Sequence, residues 1–116
     1  MKKNRTIKKK EEFTAIIQKR NIVSEPALAF YYLPKQEPEN RVGISITTKL
    51  GNAVERNKAK RQLREMIEEV FDWQESFDSV IVIKAAFKDF SYLDNKKCLE
   101  RCYKKVKIET VKDKVL

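Results

Sequence analysis

Residues 51–65 read GNAVERNKAKRQLRE, and this stretch marks where a strand ends and a long helix begins. Gly51 breaks the preceding strand, and Asn52 is a residue type favoured at the N-cap of a helix. Glu55 stands at the third helical position, which completes a pattern of the capping-box type. Apolar residues then recur at helical spacing to about Val70. The stretch therefore predicts a long amphipathic helix.

The positive charges of this helix fall on one side of it. At about 100° per residue, Lys60 and Arg64 lie within about 80° of Arg56. Asn57 and Arg61 extend the same arc to about 140°, and we call these five residues the basic arc. The apolar residues form a neighbouring stripe and the glutamates a third face, although like charges four residues apart destabilise an isolated helix. This sorting favours an external polyanion, and an ordinary solvated face is the alternative.

The residue types within the basic arc favour RNA among the polyanions. Arginine guanidinium groups bind phosphate through two parallel hydrogen bonds and stack on bases, whereas lysine acts as a point charge. Asn57 can donate and accept hydrogen bonds toward a base edge or a 2′-hydroxyl group. The mixture predicts RNA binding by this helix.

The composition is that of one basic globular domain, residues 1–116. Twenty-six Lys and Arg against seventeen Asp and Glu leave a formal net charge of +9, which a nucleic acid or an anionic surface would offset. The lysine-rich segment 1–8 is expected to be flexible. No apolar run reaches the length of a signal-peptide core or a membrane span, because the best candidate, residues 79–87, is interrupted by Lys84. We therefore expect a cytoplasmic protein.

The remaining elements follow from periodicity. Residues 9–19 carry Phe13, Ile16 and Ile17 at the spacing of a short amphipathic helix. Strands are predicted at 27–33 and 41–48, joined by a polar hairpin loop with the sequence KQEPEN. In the second of these strands Val42, Ile44 and Ile46 alternate with Arg41, Gly43, Ser45 and Thr47, so one face is apolar and one is polar.

The carboxyl-terminal third completes the mixed pattern of strands and helices. FDSVIVIKAAF, residues 77–87, predicts a buried strand, and SYLD at 91–94 predicts the capped start of a last helix. Cys98 and Cys102 would share one face of that helix, as half of a metal site does. The chain has no His and no further Cys. The pair therefore predicts buried free thiols in a reducing compartment and no bound metal.

RVGISITTKLGNAVERNKAKRQLRE, residues 41–65, resembles the signature region of bacterial ribonuclease P protein components. The family pattern is Gly-x-Ala-Val-x-Arg-Asn-x-x-Lys-Arg-x-x-Arg. It is matched here by Gly51, Ala53, Val54, Arg56, Asn57, Lys60, Arg61 and Arg64. The similarity extends more weakly along the whole chain, from the region of Phe13 to the final helix.

The resemblance implies both a fold and a function. The fold is an α+β, two-layer α/β sandwich with the order helix-strand-strand-strand-helix-strand-helix, in which a left-handed β-α-β crossover departs from the usual right-handed rule. The function is that of the accessory subunit of ribonuclease P, which removes 5′ leaders from precursor tRNA. The implied partners are ribonuclease P RNA and precursor tRNA, with neither a membrane nor a second protein. The RNA subunit, with bound Mg²⁺, is the expected catalyst, and the protein carries no catalytic residue or cofactor of its own.

The resemblance also assigns two RNA sites. The basic arc faces the catalytic RNA, and a leader cleft lies between the first helix and the sheet. The cleft residues are Phe13, Ile17, Tyr31, Ser45 and Lys49. The residue types fit, because aromatic side chains beside basic ones stack and steer single strands. Taken singly, however, Phe13 and Tyr31 are also what a hydrophobic core would contain.

Three other functions compete with this interpretation. An independent protein nuclease would lack histidine as general acid and base, and the acidic residues show no two-metal pattern. A non-catalytic architectural or ribosome-associated RNA-binding protein fits the charge equally well, and only the detailed motif argues against it. Binding to duplex DNA is disfavoured because no second short helix braces the basic one.

Overall fold

The computed structural model describes residues 5–35, 39–75 and 77–115 and is a mixed α+β structure. Its helices and strands are, in chain order, α1 (Lys10–Gln18), β1 (Ile22–Ser24), β2 (Leu28–Pro34), β3 (Arg41–Ile46), α2 (Ala53–Val70), β4 (Phe77–Ile83) and α3 (Tyr92–Val115). Two short 3-10 helices, Thr48–Leu50 and Ala85–Asp89, follow β3 and β4. The predicted fold class and element order are confirmed.

The four strands form one sheet in the order β1-β2-β4-β3. β2 pairs with β1 and β4 in antiparallel fashion, and β3 pairs with β4 in parallel. The predicted hairpin between the second and third strands is therefore wrong, since β4 lies between them. β4 is buried on both faces, which suits a central position better than an edge. Residues 36–38 of the predicted loop lie outside the described residues.

The parallel pair of β3 and β4 is joined by α2, as a crossover connection requires. The hand of this crossover stays a prediction. Both strands end earlier than predicted. β3 ends at Ile46 because the Thr47 hydroxyl accepts a hydrogen bond from Lys49 N and begins a turn. β4 ends at Ile83, and the apolar residue Phe87 is buried from the following 3-10 helix instead.

The main core lies between the sheet and the two long helices, and these form the layers of the sandwich. Along α2 the predicted apolar stripe is buried at Ala59, Leu63, Met66 and Ile67. Cys98 and Cys102 of α3 are buried free thiols in the same core, as predicted. This packing fixes which face of α2 points away from the sheet.

A smaller apolar cluster covers the opposite face of the sheet. Residues alternate along β4, so that Phe77 and Ile81 belong to the main core and Val80 to the second cluster. Ile7 and Ile16 complete the buried part of that cluster. The short helix α1 is thus held on the face of the sheet that α2 and α3 leave uncovered.

The segment before α1 also contacts the sheet. Thr6 forms a parallel bridge with Val42, and Ile7 N donates to Val42 O at 3.0 Å. Ile7 is buried, and the guanidinium of Arg5 lies 4.8 Å from the centre of the Trp73 ring. Of the segment 1–8 that was expected to be flexible, residues 1–4 lie outside the described residues and residues 5–7 pack on the sheet or beside it.

Tyr103 joins α3 to the loop that follows α2. Its hydroxyl accepts from Asp72 N at 2.8 Å and donates to Asp72 O at 3.1 Å. Asn40, which is fully buried, donates from Nδ2 to the same hydroxyl at 3.3 Å. Burial raises the pKa of Tyr103 to about 12, and the hydrogen bonds oppose part of that rise.

Candidate nucleic-acid interface

The amino terminus of α2 is fixed by the predicted capping box. Glu55 N donates to Asn52 Oδ1 at 2.9 Å, and Asn52 N donates back to Glu55 Oε1 at 3.2 Å. Gly51 leaves room for this pair, because a Cβ atom there would collide with Glu55 Oε1. The first turn of α2, which carries Arg56, is therefore anchored by its own side chains.

The basic arc of α2 is open to solvent along much of its length. Asn57, Arg61 and Arg64 are exposed, and Arg56 and Lys60 are half-buried beside the apolar stripe. Within the described ranges, none of the arc's cations forms an ion pair with a carboxylate. The arc thus presents four positive charges that its described surroundings do not neutralise.

The cations of the arc differ from the acidic residues of α2 in whether they have partners within the described structure. Nε of Arg56 is buried, yet no acceptor for it is present among the residues that the structure describes. On the third face of the helix, Glu69 instead pairs with Lys96 of α3 at 2.5 Å. Glu55 and Glu69 of α2 therefore cap the helix and brace α3, whereas the arginines and the lysine of the arc have no carboxylate partner among the described residues.

The sequence-predicted cleft begins with a row of three residues across the sheet. Tyr31 of β2 and Gly43 of β3 are both register partners of Val80 of β4, so the Tyr31 and Val80 side chains lie on one face with Gly43, under α1. Phe13 of α1 lies on this row, since a Cβ atom at Gly43 would be 2.5 Å from its Cζ atom. Phe13 and Tyr31 are both half-buried and belong to the same apolar cluster.

The remaining cleft residues extend away from that row. Ile17 lies one helical turn after Phe13 and packs on the same cluster. Ser45 is half-buried in the next row, as the partner of Val82, and faces the same side as Gly43. Lys49 is exposed in the 3-10 helix beyond the end of β3. The structure thus brings Phe13, Ile17 and Tyr31 together, sets Ser45 beside them and leaves Lys49 outside the apolar cluster.

A group of charged residues closes the other end of this surface, and sequence reasoning missed it. Arg41 donates from Nε and Nη2 to the two carboxylate oxygens of Asp78, at 3.2 and 2.7 Å. Arg41 Nη2 also donates to Glu12 Oε2 of α1 at 2.6 Å, and Lys35 Nζ donates to Asp78 Oδ1 at 2.7 Å. We call Glu12, Lys35, Arg41 and Asp78 the charged clamp. Two signals could have found it: a lone Asp in an apolar strand, and an Arg on the same strand face as Gly43 and Ser45.

Other kinds of site receive no support from the described ranges. No group of three or more His, Cys, Asp or Glu side chains there could hold a metal ion. In that same part of the chain, no helix is both long and apolar enough to span a membrane.

Comparison with known proteins shows which family this chain belongs to. The ribonuclease P family model matches residues 1–107. The ribonuclease P protein component of Bacillus cereus (strain AH187) is 36% identical over 114 residues, which cover 97% of this chain and 99% of the relative.

Solved structures agree with the fold. An RNase P protein mutant of Staphylococcus aureus with defective mRNA degradation activity superposes with a TM-score of 0.82 at 34% identity, covering 90% of each chain. The RNase P protein of Thermotoga maritima shares the fold at only 20% identity, with a TM-score of 0.69 and coverage of 83% of this chain and 96% of that one. The resemblance seen in residues 41–65 is confirmed, and the chain belongs to the ribonuclease P protein family.

Proposed function

We propose that this chain is the RNA-binding protein subunit of ribonuclease P and assists removal of the 5′ leader from precursor tRNA by a catalytic RNA. The observation that carries the proposal is the basic arc of α2, whose cations have no carboxylate partner within the described ranges and stand on a helix anchored at its start. Membership of the ribonuclease P family indicates which enzyme the chain belongs to. The exposed basic arc provides a surface suited to binding the RNA of that enzyme.

The basic arc is the proposed docking surface for the catalytic RNA. Arg56, Arg61 and Arg64 can each bind phosphate through two hydrogen bonds, and Asn57 between them can reach a base edge or a 2′-hydroxyl group. If the four cations of the arc neutralise about four phosphates, affinity is expected to fall by a factor on the order of 10² between 50 and 200 mM salt. Such a steep dependence is the signature of counterion release.

The cleft under α1 is the proposed binding surface for the single-stranded leader. Phe13 and Tyr31 are half-buried, so each ring packs on the sheet while part of it is open for stacking. Ser45 offers a hydroxyl group on the same face, and Lys49 offers a charge near the end of β3. This combination of stacking platform and cation suits a flexible strand without demanding one sequence.

In this proposal cleavage belongs to the RNA subunit. Mg²⁺ prefers oxygen ligands and binds readily through phosphates, whereas the described residues of this protein provide no cluster of three or more ligand side chains. The protein residues therefore contribute binding and positioning, and Mg²⁺ held by RNA supplies the charge stabilisation of the reaction. We place this activity in the cytoplasm, where the buried free thiols of α3 would stay reduced.

Reconstitution tests the proposal. The protein is mixed with a bacterial ribonuclease P RNA, and cleavage of a precursor tRNA is followed at low Mg²⁺ with RNA alone, protein alone and both together. We expect fast cleavage only with both components and none with protein alone. Equal rates with and without protein would sink the assignment. Binding to the RNA without any change in cleavage would favour an architectural role.

A further inference from the structure

The charged clamp lies beside the floor of the cleft. Arg41 and Asp78 are direct register partners in β3 and β4, one row from the pair formed by Gly43 and Val80. Side chains two residues apart on a strand share one face, so the clamp and the Phe13 contact occupy neighbouring rows under α1. Glu12, the residue immediately before Phe13, is the clamp's connection to that helix.

The bonds of Arg41 make it a link between the sheet and α1. It holds Asp78 through two hydrogen bonds, the geometry in which arginine binds carboxylate most specifically. These bonds raise the pKa of Arg41 above its ordinary value, with Asp78 contributing most and Glu12 less. The guanidinium is therefore fixed to the sheet and stays charged. It holds α1 in place through its hydrogen bond to Glu12.

Among the described residues, Glu12 makes the only side-chain hydrogen bond from α1 to another element. α1 spans nine residues, and its N-cap residue, Lys9, makes no side-chain capping bond. Ile16 alone of these nine described residues has a fully buried side chain. A helix of this length is marginal without tertiary contacts, so the ion pair at its first turn, together with the apolar contacts of Phe13, Ile16 and Ile17, helps to set where it lies.

We infer that Arg41 and Glu12 are positioning residues, which set the placement of α1 over the sheet and with it the position of Phe13 in the leader cleft. This inference rests on the proposed function of the cleft. The clamp does not contact the leader itself; it acts through Phe13, and its loss should weaken the binding of substrates that have a leader.

Glu12→Ala is the test variant, and Glu11→Ala is its matched control. Both changes remove one carboxylate from the first turn of α1, and Ala is the best helix former, so the helix itself is preserved. Glu11 is exposed, whereas Glu12 is half-buried against Arg41. For Glu12→Ala the KM for precursor tRNA with a leader should rise roughly two- to fivefold, the range expected for a partly exposed ion pair. The kcat, and the affinity of the holoenzyme for mature tRNA, which has no leader, should not change.

Two further variants separate positioning from a general loss of structure. Glu12→Gln keeps an acceptor oxygen for Arg41 and should restore most of the leader-dependent affinity. Arg41→Lys keeps the charge but loses the two-bond contact with Asp78, and its effect should not add to that of Glu12→Ala. Amide hydrogen exchange over residues 10–18 should speed up in Glu12→Ala and stay at the wild-type rate in Glu11→Ala.

If Glu12→Ala matches Glu11→Ala in both leader dependence and exchange, the inference is wrong. Phe13→Ala separates this failure from failure of the proposed cleft. If Phe13→Ala weakens the binding of mature tRNA, which has no leader, as much as that of precursor tRNA, the cleft is misplaced, and faster exchange in Glu12→Ala then supports only the attachment of α1 by the clamp.

Discussion

Phe13 lies against Gly43 so closely that a Cβ atom added to Gly43 would be 2.5 Å from Phe13 Cζ and 2.9 Å from Cε1. Gly43 is therefore required for packing, because its missing side chain makes the space that the ring occupies. Gly43→Ala should push Phe13 off the sheet and destabilise the protein by about 1–3 kcal/mol, the usual effect of overpacking. Chemical denaturation and the affinity for leader-containing precursor tRNA would both report the change.

The double variant Gly43→Ala with Phe13→Ala is the control for this steric explanation. With the ring removed, the added methyl group has nothing to displace, so Gly43→Ala should cause almost no further loss of stability in that background. Additive losses would show that the Gly43 backbone, and not the ring, is the constraint.

The basic arc should control the salt dependence of RNA binding. Arg56→Ala or Arg64→Ala should weaken binding to ribonuclease P RNA and reduce the slope of log affinity against log salt by roughly 0.7–0.9 for each phosphate that the variant no longer neutralises. Lys58→Ala is the matched control, since Lys58 is exposed on the same helix but lies outside the arc. A smaller slope change for Arg56→Ala than for Lys58→Ala would contradict the assignment of the arc.

Tyr103→Phe should reduce stability without affecting either RNA surface. The change leaves Asp72 N and Asn40 Nδ2 without the hydroxyl acceptor, which is expected to lower the free energy of unfolding by about 1–3 kcal/mol. Denaturation by urea would measure it. Tyr31→Phe, at a half-buried tyrosine on the other face of the sheet, serves as the control and should change stability little.

The same residue predicts a pH dependence. In the folded protein the pKa of Tyr103 is raised from 10.0 to about 12, so folding favours the neutral phenol. The resulting stability is fully present below about pH 10 and is lost as the pH rises through about 12. Between those values wild-type stability should fall more steeply than that of Tyr103→Phe. Parallel pH profiles for the two proteins would contradict the raised pKa.

The capping box should contribute to both stability and RNA binding. Asn52→Ala removes the acceptor for Glu55 N and should cost about 1 kcal/mol of stability. Because Arg56 lies in the turn that this cap secures, affinity for ribonuclease P RNA should also fall. Asn52→Ser retains a capping oxygen and should restore both properties; a loss in Asn52→Ser as large as that in Asn52→Ala would mean that the cap is not the cause.

The features predicted correctly are those encoded by neighbouring residues. The start of α2, its buried stripe and its separate basic arc depend on spacings of three and four residues, which can be read directly from residues 52–70. The alternation in β3 likewise placed Gly43 and Ser45 on one face. The family motif within this region then indicated which polyanion the surface binds, namely the RNA of ribonuclease P.

The features that were missed depend on contacts between distant parts of the chain. The central position of β4 replaced the predicted hairpin because strand order is set by which strand can be buried on both sides, and spacing along the chain does not report it. The charged clamp joins residues 12, 35, 41 and 78, and no local pattern connects them. The boundaries of β3 and β4 were displaced by 3-10 turns, whose side-chain hydrogen bonds and burial become visible only in three dimensions.

The bridge between Thr6 and Val42 has a consequence for self-association. β3 is an edge strand, and an uncovered edge offers free N–H and C=O groups to a strand from another molecule. Thr6 and Ile7 occupy part of that edge, next to Val42. The short segment ahead of α1 therefore shields the sheet against edge-to-edge aggregation, and a chain shortened beyond Ile7 would expose a template for a second copy.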